Sequence, residues 1–231
     1  MSIAANLEAV RARVAAAAAR AGRARDAVEL LAVSKTFPVE AIREAAEAGQ
    51  RLFGENRVQE ALAKIPQLPS TLRWHLIGRL QSNKVRKILP VAEAIHSVGS
   101  LDLARDINRI AGELGLFPKV YLEINVGAEA SKHGFSPDEA RAQLQDLHSL
   151  DRLVIQGLMC IPPFTPEAED SRPCFVHLRA LRDELEKAGG KPLPGLSMGM
   201  SHDFEIAIEE GSTIVRVGSA IFGEREASRA G

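Results

Sequence analysis

The chain has 231 residues, of which 45% are hydrophobic, and its 29 Lys and Arg against 30 Asp and Glu give a formal net charge of -1. This composition is typical of a globular protein. It excludes a protein that binds nucleic acid through a broad excess of positive charge. No apolar run approaches the roughly 18 residues that a membrane span needs, so we expect neither nucleic acid nor a membrane as a partner.

The N-terminal segment, residues 1–25, is rich in Ala and Arg and has the composition of a transit peptide. Its apolar residues recur at helical spacing, however, and Glu8 interrupts the acid-free pattern of such peptides. We therefore expect an amphipathic helix packed on the outside of one domain that spans residues 1–231. Because no secretion signal is evident and the two cysteines form no CxxC pair, we expect reduced thiols and a cytoplasmic location.

Short apolar segments alternate with helical patterns along the chain. The predicted strands are residues 29–33, 51–54, 74–78, 94–98, 120–126, 153–160, 195–199 and 213–218. The predicted helices between them include residues 38–48, 101–114, 137–147 and 170–188, in which apolar residues recur every three or four positions. Gly49 and Gly189 follow two of these helices, where a left-handed cap is favoured.

The order of these elements predicts the fold class, which is α/β. Strands that are joined by helices, without hairpins, indicate a parallel sheet. A repeat of about 25 to 30 residues is typical of a (β/α)8 barrel of the TIM type. We therefore expect a single (β/α)8 barrel with an extra N-terminal helix, and an open, doubly wound sheet is the alternative.

Lys35 follows the first predicted strand, in the sequence AVSKT. Period-two alternation gives it the same face as Leu31 and Val33, the inner face of a barrel. A lysine there is costly unless it is paired, neutral or covalently used. Burial lowers the pKa of a lysine, so that its amine can attack a carbonyl. The alternative is a lysine whose charged end reaches solvent at the rim.

Two loops near the end of the chain predict an anion site, because barrels frequently bind phosphate with the loops after strands seven and eight. Ser201 follows the seventh strand, where its hydroxyl suits an anion or simply caps the next helix. Gly218 and Ser219 follow the eighth, and a glycine lets a ligand approach the backbone closely. Arg216 shares the inward face of Gly218, where a buried arginine requires a partner.

The remaining polar segments do not predict a specific chemical role. FGENRVQE and WHLIGRLQSNK follow the second and third strands, and their spacing specifies no chemistry. The six histidines show no paired-ligand spacing, so we expect no metal. His75 falls within a strand, where a hydrogen-bonded core histidine is favoured over a catalytic base.

These motifs together resemble the YggS/PROSC family of pyridoxal 5'-phosphate (PLP) homeostasis proteins. The matching stretches between residues 30 and 223 are LLAVSKT, FGENRVQE, WHLIGRLQSNK, EINVGAEASKHGF, IQGLMCIPP and LSMGMSHDFEIAIEEGSTIVRVGSAIFG. The resemblance implies a barrel like that of bacterial alanine racemases. It also implies a protein that holds PLP as a Schiff base on Lys35 and buffers it or delivers it to PLP-dependent apoenzymes. Lys84 and Lys132 lie in two of the motifs, and we expect a surface or structural role for both.

The resemblance assigns further residues to the PLP site. Besides Lys35 these are Asn56, Met159, Ser201, Arg216, Gly218 and Ser219. The serines and the glycine would bind the phosphate, Arg216 would lie beside the pyridine nitrogen, and Asn56 and Met159 would line the ring pocket. Because a guanidinium cannot accept a proton, Arg216 would leave that nitrogen unprotonated and weaken the cofactor as an electron sink.

A carrier is expected rather than an enzyme, with no catalytic residue. A two-base racemase needs an acid or base on each face of its substrate, and alanine racemases take the second from a tyrosine in a further C-terminal domain of the partner subunit. Tyr121 lies near the start of a predicted strand, at the wrong end of a barrel, and the chain ends soon after the eighth strand. We therefore expect no such domain, and a monomer. The alternatives are a low-activity PLP-dependent racemase and a Schiff-base aldolase-type barrel without cofactor.

Overall fold

A computed structural model of the chain describes residues 2–127 and 133–223, so Lys132 lies outside the described residues. The strands are β1 (Glu29–Val33), β2 (Leu52–Glu55), β3 (Arg73–Leu76), β4 (Ala94–Val98), β5 (Lys119–Glu123), β6 (Val154–Met159), β7 (Gly195–Met200) and β8 (Ile214–Val217). The helices are α1 (Ile3–Arg20), α2 (Val39–Glu47), α3 (Val58–Lys64), α4 (Val85–Ile88), α5 (Leu101–Leu114), α6 (Pro137–Ala142), α7 (Leu144–His148), α8 (Arg172–Gly189), α9 (Phe204–Glu209) and α10 (Ser219–Phe222).

The eight strands form a closed, all-parallel barrel in which each strand pairs with the next one in the chain. The first and last strands close the ring, with Leu31 of β1 opposite Arg216 of β8. Closure satisfies the backbone groups that an open sheet would leave at its edges. The prediction of a (β/α)8 barrel is therefore confirmed, and the open sheet is excluded.

Most elements lie within a few residues of their predicted bounds, and two details differ. The single helix predicted over 137–147 is two helices, α6 and α7, which are separated by Gln143. Gly49 has the left-handed conformation expected of a cap, with φ 86°. Gly189 does not, because α8 extends through it and the left-handed residue is the next one, Gly190, with φ 62°.

Side chains on the strands alternate between the barrel interior and the helices outside, as a period of two requires. The apolar part of the interior consists of Leu31, Val33, Leu52, Ile77, Ala94, Tyr121, Met159 and Ile214. The alternate residues, such as Ala32, Phe53 and Val215, pack against the surrounding helices in a separate apolar cluster. Polar residues on the inner faces therefore have little water around them and must bond to one another.

Helix α1 packs against α2, α9 and α10 on the outside of the barrel. Its buried face consists of Leu7, Val10, Val14, Ala17 and Ala18. The Asn6 side-chain amide donates to the Ile221 carbonyl oxygen at 2.9 Å. Arg13 pairs with both carboxylate oxygens of Glu205, at 3.0 and 2.8 Å. The N-terminal helix thus binds the helices that follow strands β7 and β8.

Helix α1 ends at Arg20, before the end of the predicted 1–25 segment, and Gly22 turns the chain in a left-handed conformation with φ 66°. Within residues 2–127 and 133–223, no helix is both long enough and apolar enough to cross a bilayer.

Candidate functional site

A cavity of about 480 Å³ opens at the carboxyl ends of the strands, where βα loops place functional groups in this fold. Six of the predicted site residues line it: Lys35, Asn56, Ser201, Arg216, Gly218 and Ser219. Met159 does not, because it lies on the inner face of β6 within the apolar barrel interior, with an exposed fraction of 1%. Several apolar residues also line the cavity, including Ile77 and Ile161, and they were not predicted because they follow strands and carry no polar signal.

Lys35 lies two residues after the end of β1 and is half-buried. The chain turns sharply directly after it, because Thr36 has φ 68°, a left-handed conformation that costs a non-glycine residue roughly 1–2 kcal/mol. Such conformations persist only where the surrounding structure holds them. Lys35 therefore lies at a strained corner at the mouth of the barrel.

Ser201 connects the loops that follow β7 and β8. Its hydroxyl oxygen accepts hydrogen bonds from the N–H groups of Gly218, at 3.1 Å, and Ala220, at 3.4 Å. Ser201 does not cap the next helix, which was the alternative to an anion site, because Asp203 occupies the N-cap position of α9. The Asp203 carboxylate instead accepts from the Met200 N–H at 2.7 Å and fixes the turn that presents Ser201.

Arg216 points into the barrel and is 4% exposed. Its guanidinium donates to the carbonyl and hydroxyl oxygens of Ser197, at 2.7 and 2.6 Å, and to the Cys160 carbonyl at 2.8 Å. Burial lowers the pKa of Arg216, and the negative charges of groups such as Glu123 oppose that shift. These three hydrogen bonds hold the guanidinium in one orientation at the floor of the cavity.

A line of hydrogen bonds continues from Arg216 into the barrel. The Ser197 hydroxyl lies 2.7 Å from Nδ1 of His96, and Nε2 of His96 lies 2.8 Å from Nδ1 of His75. The ring of Tyr121 packs on His96 with 4.5 Å between centroids. Desolvation lowers the pKa of His75 to about 4 and that of His96 well below its usual value, so both rings are neutral at pH 7. The prediction of His75 as a hydrogen-bonded core histidine is confirmed.

This buried pair predicts acid lability. An unfolded histidine has a pKa near 6.5, whereas that of folded His75 is about 4, so the unfolded chain binds more protons in the window between these values. Stability is complete above pH 6.5 and falls as the pH drops through the window, by about 2 kcal/mol at pH 5 from His75 alone. Urea unfolding at pH 7.5 and pH 5 measures the loss. His75→Gln should reduce it and the exposed-site variant His177→Gln should not, and an unchanged loss in His75→Gln would contradict the assignment.

Asn56 connects the cavity to a second, basic cleft at the rim, which is lined by Arg57, Arg79 and Lys84. These residues come from FGENRVQE and WHLIGRLQSNK, and they lie after β2 and β3 as the sequence indicated. Among the described residues, no group of three or more His, Cys, Asp and Glu side chains is placed to hold a metal ion.

The known proteins that are similar to this chain belong to one family. The family model for the alanine racemase N-terminal domain matches residues 5–226. The pyridoxal phosphate homeostasis protein of Aquifex aeolicus is 46% identical over 215 residues, which cover 93% of this chain and 94% of that protein. The protein of the same name from Escherichia coli is 42% identical and covers 98% of both chains.

Solved structures of similar proteins have the same fold as this chain. PipY of Synechococcus elongatus has been solved without PLP and with PLP bound. The PLP-free structure has a TM-score of 0.87 and 43% identity, and the match covers 96% of this chain and 100% of PipY. An alanine racemase of Clostridium difficile, at 16% identity and a TM-score of 0.77, shares the fold over 58% of its own length. The chain belongs to the YggS/PROSC family of pyridoxal phosphate homeostasis proteins, which has the fold of the alanine racemase N-terminal domain.

Proposed function

We propose that this chain binds PLP in the cavity at the mouth of the barrel, holds it as a Schiff base on Lys35, and buffers it or delivers it to PLP-dependent apoenzymes with little or no turnover. The protein acts as a cytoplasmic monomer in this proposal. The observation that carries it is one cavity lined by an amine, a buried guanidinium and two serine hydroxyls, those of Lys35, Arg216, Ser201 and Ser219. The names of the relatives and the PLP-bound structure of PipY support it.

The residues present fit PLP. A volume of about 480 Å³ is within the usual range for small-molecule sites. Because the Ser201 hydroxyl oxygen already accepts two N–H bonds, its own proton remains to be donated to a phosphate oxygen. Ser219 adds a second hydroxyl from the start of α10, next to Gly218. The phosphate would thus be bound by the loops after β7 and β8.

Arg216 would bind the other end of the cofactor. Bound PLP supplies an aldehyde that reacts with amines and a pyridine ring that acts as an electron sink. The Arg216 guanidinium donates hydrogen bonds and accepts none, so a ring nitrogen beside it stays unprotonated. The bonds to Ser197 and Cys160 fix the orientation of the guanidinium. Arg216 therefore binds and orients the ring while it weakens the chemistry that a catalyst would need.

The position of Tyr121 supports a carrier over a racemase. It lies in the middle of β5 rather than at the start, and its side chain packs on His96 inside the barrel. Burial raises the pKa of Tyr121 to about 12, which is far from that of an efficient acid or base at neutral pH. Tyr121 is not among the residues that line the cavity, so it is not placed to serve as a second base.

The visible absorption spectrum of the purified chain with added PLP tests this function. We expect a yellow band that borohydride removes, and a reduced cofactor on the peptide that contains Lys35. Failure to form the band at saturating PLP would overturn the proposal. The PLP-loaded protein should not exchange amino-acid α-protons in D2O at an enzymatic rate. Exchange at roughly 1 s⁻¹ or faster, as in an ordinary enzyme, would show a racemase-like enzyme and not a carrier.

A further inference from the structure

A buried cluster of charged side chains lies outside the barrel beside Lys35. The Lys64 ammonium group, at the end of α3, donates to the Ser34 carbonyl oxygen at 2.9 Å, to Oε1 of Glu55 at 3.0 Å and to Oε1 of Glu60 at 2.5 Å. The Ser34 hydroxyl also donates to Glu55, at 2.7 Å. We call Ser34, Glu55, Glu60 and Lys64 the Lys64 cluster. All three protons of the ammonium group are used within it.

The Lys64 cluster holds the backbone on both sides of Lys35. The peptide group before Lys35 is bound through the Ser34 carbonyl oxygen, which accepts from Lys64. The peptide group after it is bound through the Thr36 N–H, which donates to Oε1 of Glu60 at 2.5 Å. Thr36 is the residue with φ 68°. The strained corner that carries Lys35 is therefore fixed by two charged side chains of α3.

Burial of these charges is costly, which argues against a purely stabilising role. The side chain of Glu55 is 1% exposed and that of Lys64 is 10% exposed. Desolvation raises the pKa of Glu55, opposed by its bonds to Ser34 and Lys64, and its Oε2 has no hydrogen-bond partner among the described residues. Apolar side chains of similar volume often stabilise such a position as well or better. The cluster is explained more simply by what it holds in place.

We propose that Glu60 and Lys64 are positioning residues for Lys35: they hold the corner at Ser34–Thr36 so that the Lys35 amine faces the bound aldehyde. This inference rests on the proposed function. Schiff-base formation joins the Lys35 nitrogen to the aldehyde carbon. The aldehyde oxygen leaves as water, and both hydrogens of that water come from the neutral amine. Only this step depends on the corner, because the phosphate and the ring are bound by Ser201 and Arg216.

Glu60 is the residue to substitute in the test. Its side chain is 21% exposed, and Lys64 would still pair with Glu55 if the Glu60 carboxylate were removed. Glu60→Ala removes the acceptor for the Thr36 N–H, whereas Glu60→Gln keeps a carbonyl oxygen at that place. We expect Glu60→Ala to form the Schiff base with PLP about tenfold more weakly, which is the upper end of what one backbone hydrogen bond contributes. Glu60→Gln should lie within about twofold of the wild-type chain, since its oxygen still accepts from the backbone.

A ligand without the aldehyde separates positioning from stability. Pyridoxine 5'-phosphate has an alcohol in place of the aldehyde, so all variants should bind it as the wild-type chain does, as measured by competition with PLP. Glu113→Ala, which removes a surface glutamate of α5 that pairs with Arg109 at 2.7 Å, is the matched control and should change neither affinity. Equal losses for both ligands in Glu60→Ala, or a Glu60→Gln variant as weak as Glu60→Ala, would overturn the inference. A wild-type chain that forms no band with PLP would overturn the proposed function instead.

Discussion

The Lys35→Ala protein is expected to stay colourless with PLP under conditions in which the wild-type chain turns yellow. Lys35 is the one lysine among the described residues that lines the cavity with Arg216 and Ser201, so its removal leaves the bound aldehyde without a partner amine. Binding of PLP at 100 times its dissociation constant should stabilise the wild-type chain by about 2.7 kcal/mol. For a chain of this size that raises Tm by roughly 5–10 °C. Most of this increase should disappear in Lys35→Ala.

Lys84→Ala is the control for this experiment. Lys84 lines the basic cleft that adjoins the cavity at Asn56, and it also lies in one of the family-like motifs. We expect the band and the thermal shift of this variant to equal those of the wild-type chain. If Lys35→Ala kept a band of wild-type intensity and Lys84→Ala lost it, the Schiff base would be on the rim and the proposed site would be wrong.

Gly157→Ala is expected to destabilise the barrel severely. Gly157 of β6 lies opposite Gly195 of β7, and its φ of 155° is one that L side chains rarely adopt. A Cβ at this position would overlap the carbonyl oxygen of Gly195, a backbone atom that cannot move without breaking the sheet. We expect the free energy of unfolding to fall by about 4 kcal/mol or more, because the substitution combines backbone strain with overpacking. Thermal and urea unfolding of the soluble protein measure it.

Gly112→Ala is the matched control. Gly112 lies within α5, and an added Cβ would meet only the Arg152 side chain, at 4.0 Å. Alanine in a helix is favoured over glycine by about 0.5–1 kcal/mol, so this variant should be as stable as the wild-type chain or slightly more stable. A Gly157→Ala protein with wild-type stability would show that β6 and β7 can separate at this point, and the close contact of Gly157 with Gly195 would be wrong.

The barrel and the inward direction of Lys35 and Arg216 were predictable because they depend on local periodicity. The hydrogen-bonded line beneath Arg216 was not, since His96 and its partner Ser197 are 101 residues apart and each looks like an ordinary strand residue. The Lys64 cluster could not be predicted from the sequence either. Its role depends on how α3 packs on β2, which no residue spacing specifies. The resemblance assigned Met159 to the site, and the structure places its side chain in the apolar interior, in one cluster with the cavity-lining residues Val33 and Ile77.

The packing of α1 has a consequence for folding during synthesis. Asn6 bonds to a residue 215 positions later, and Arg13 to one 192 positions later. Ribosomes add about 5–20 residues per second, so part of the apolar face of α1 waits on the order of 10–40 s for α9 and α10. Until then α2 is its nearest partner along the chain. The nascent protein therefore exposes part of the apolar face of α1 for most of its synthesis, and we expect a chaperone to bind this face first.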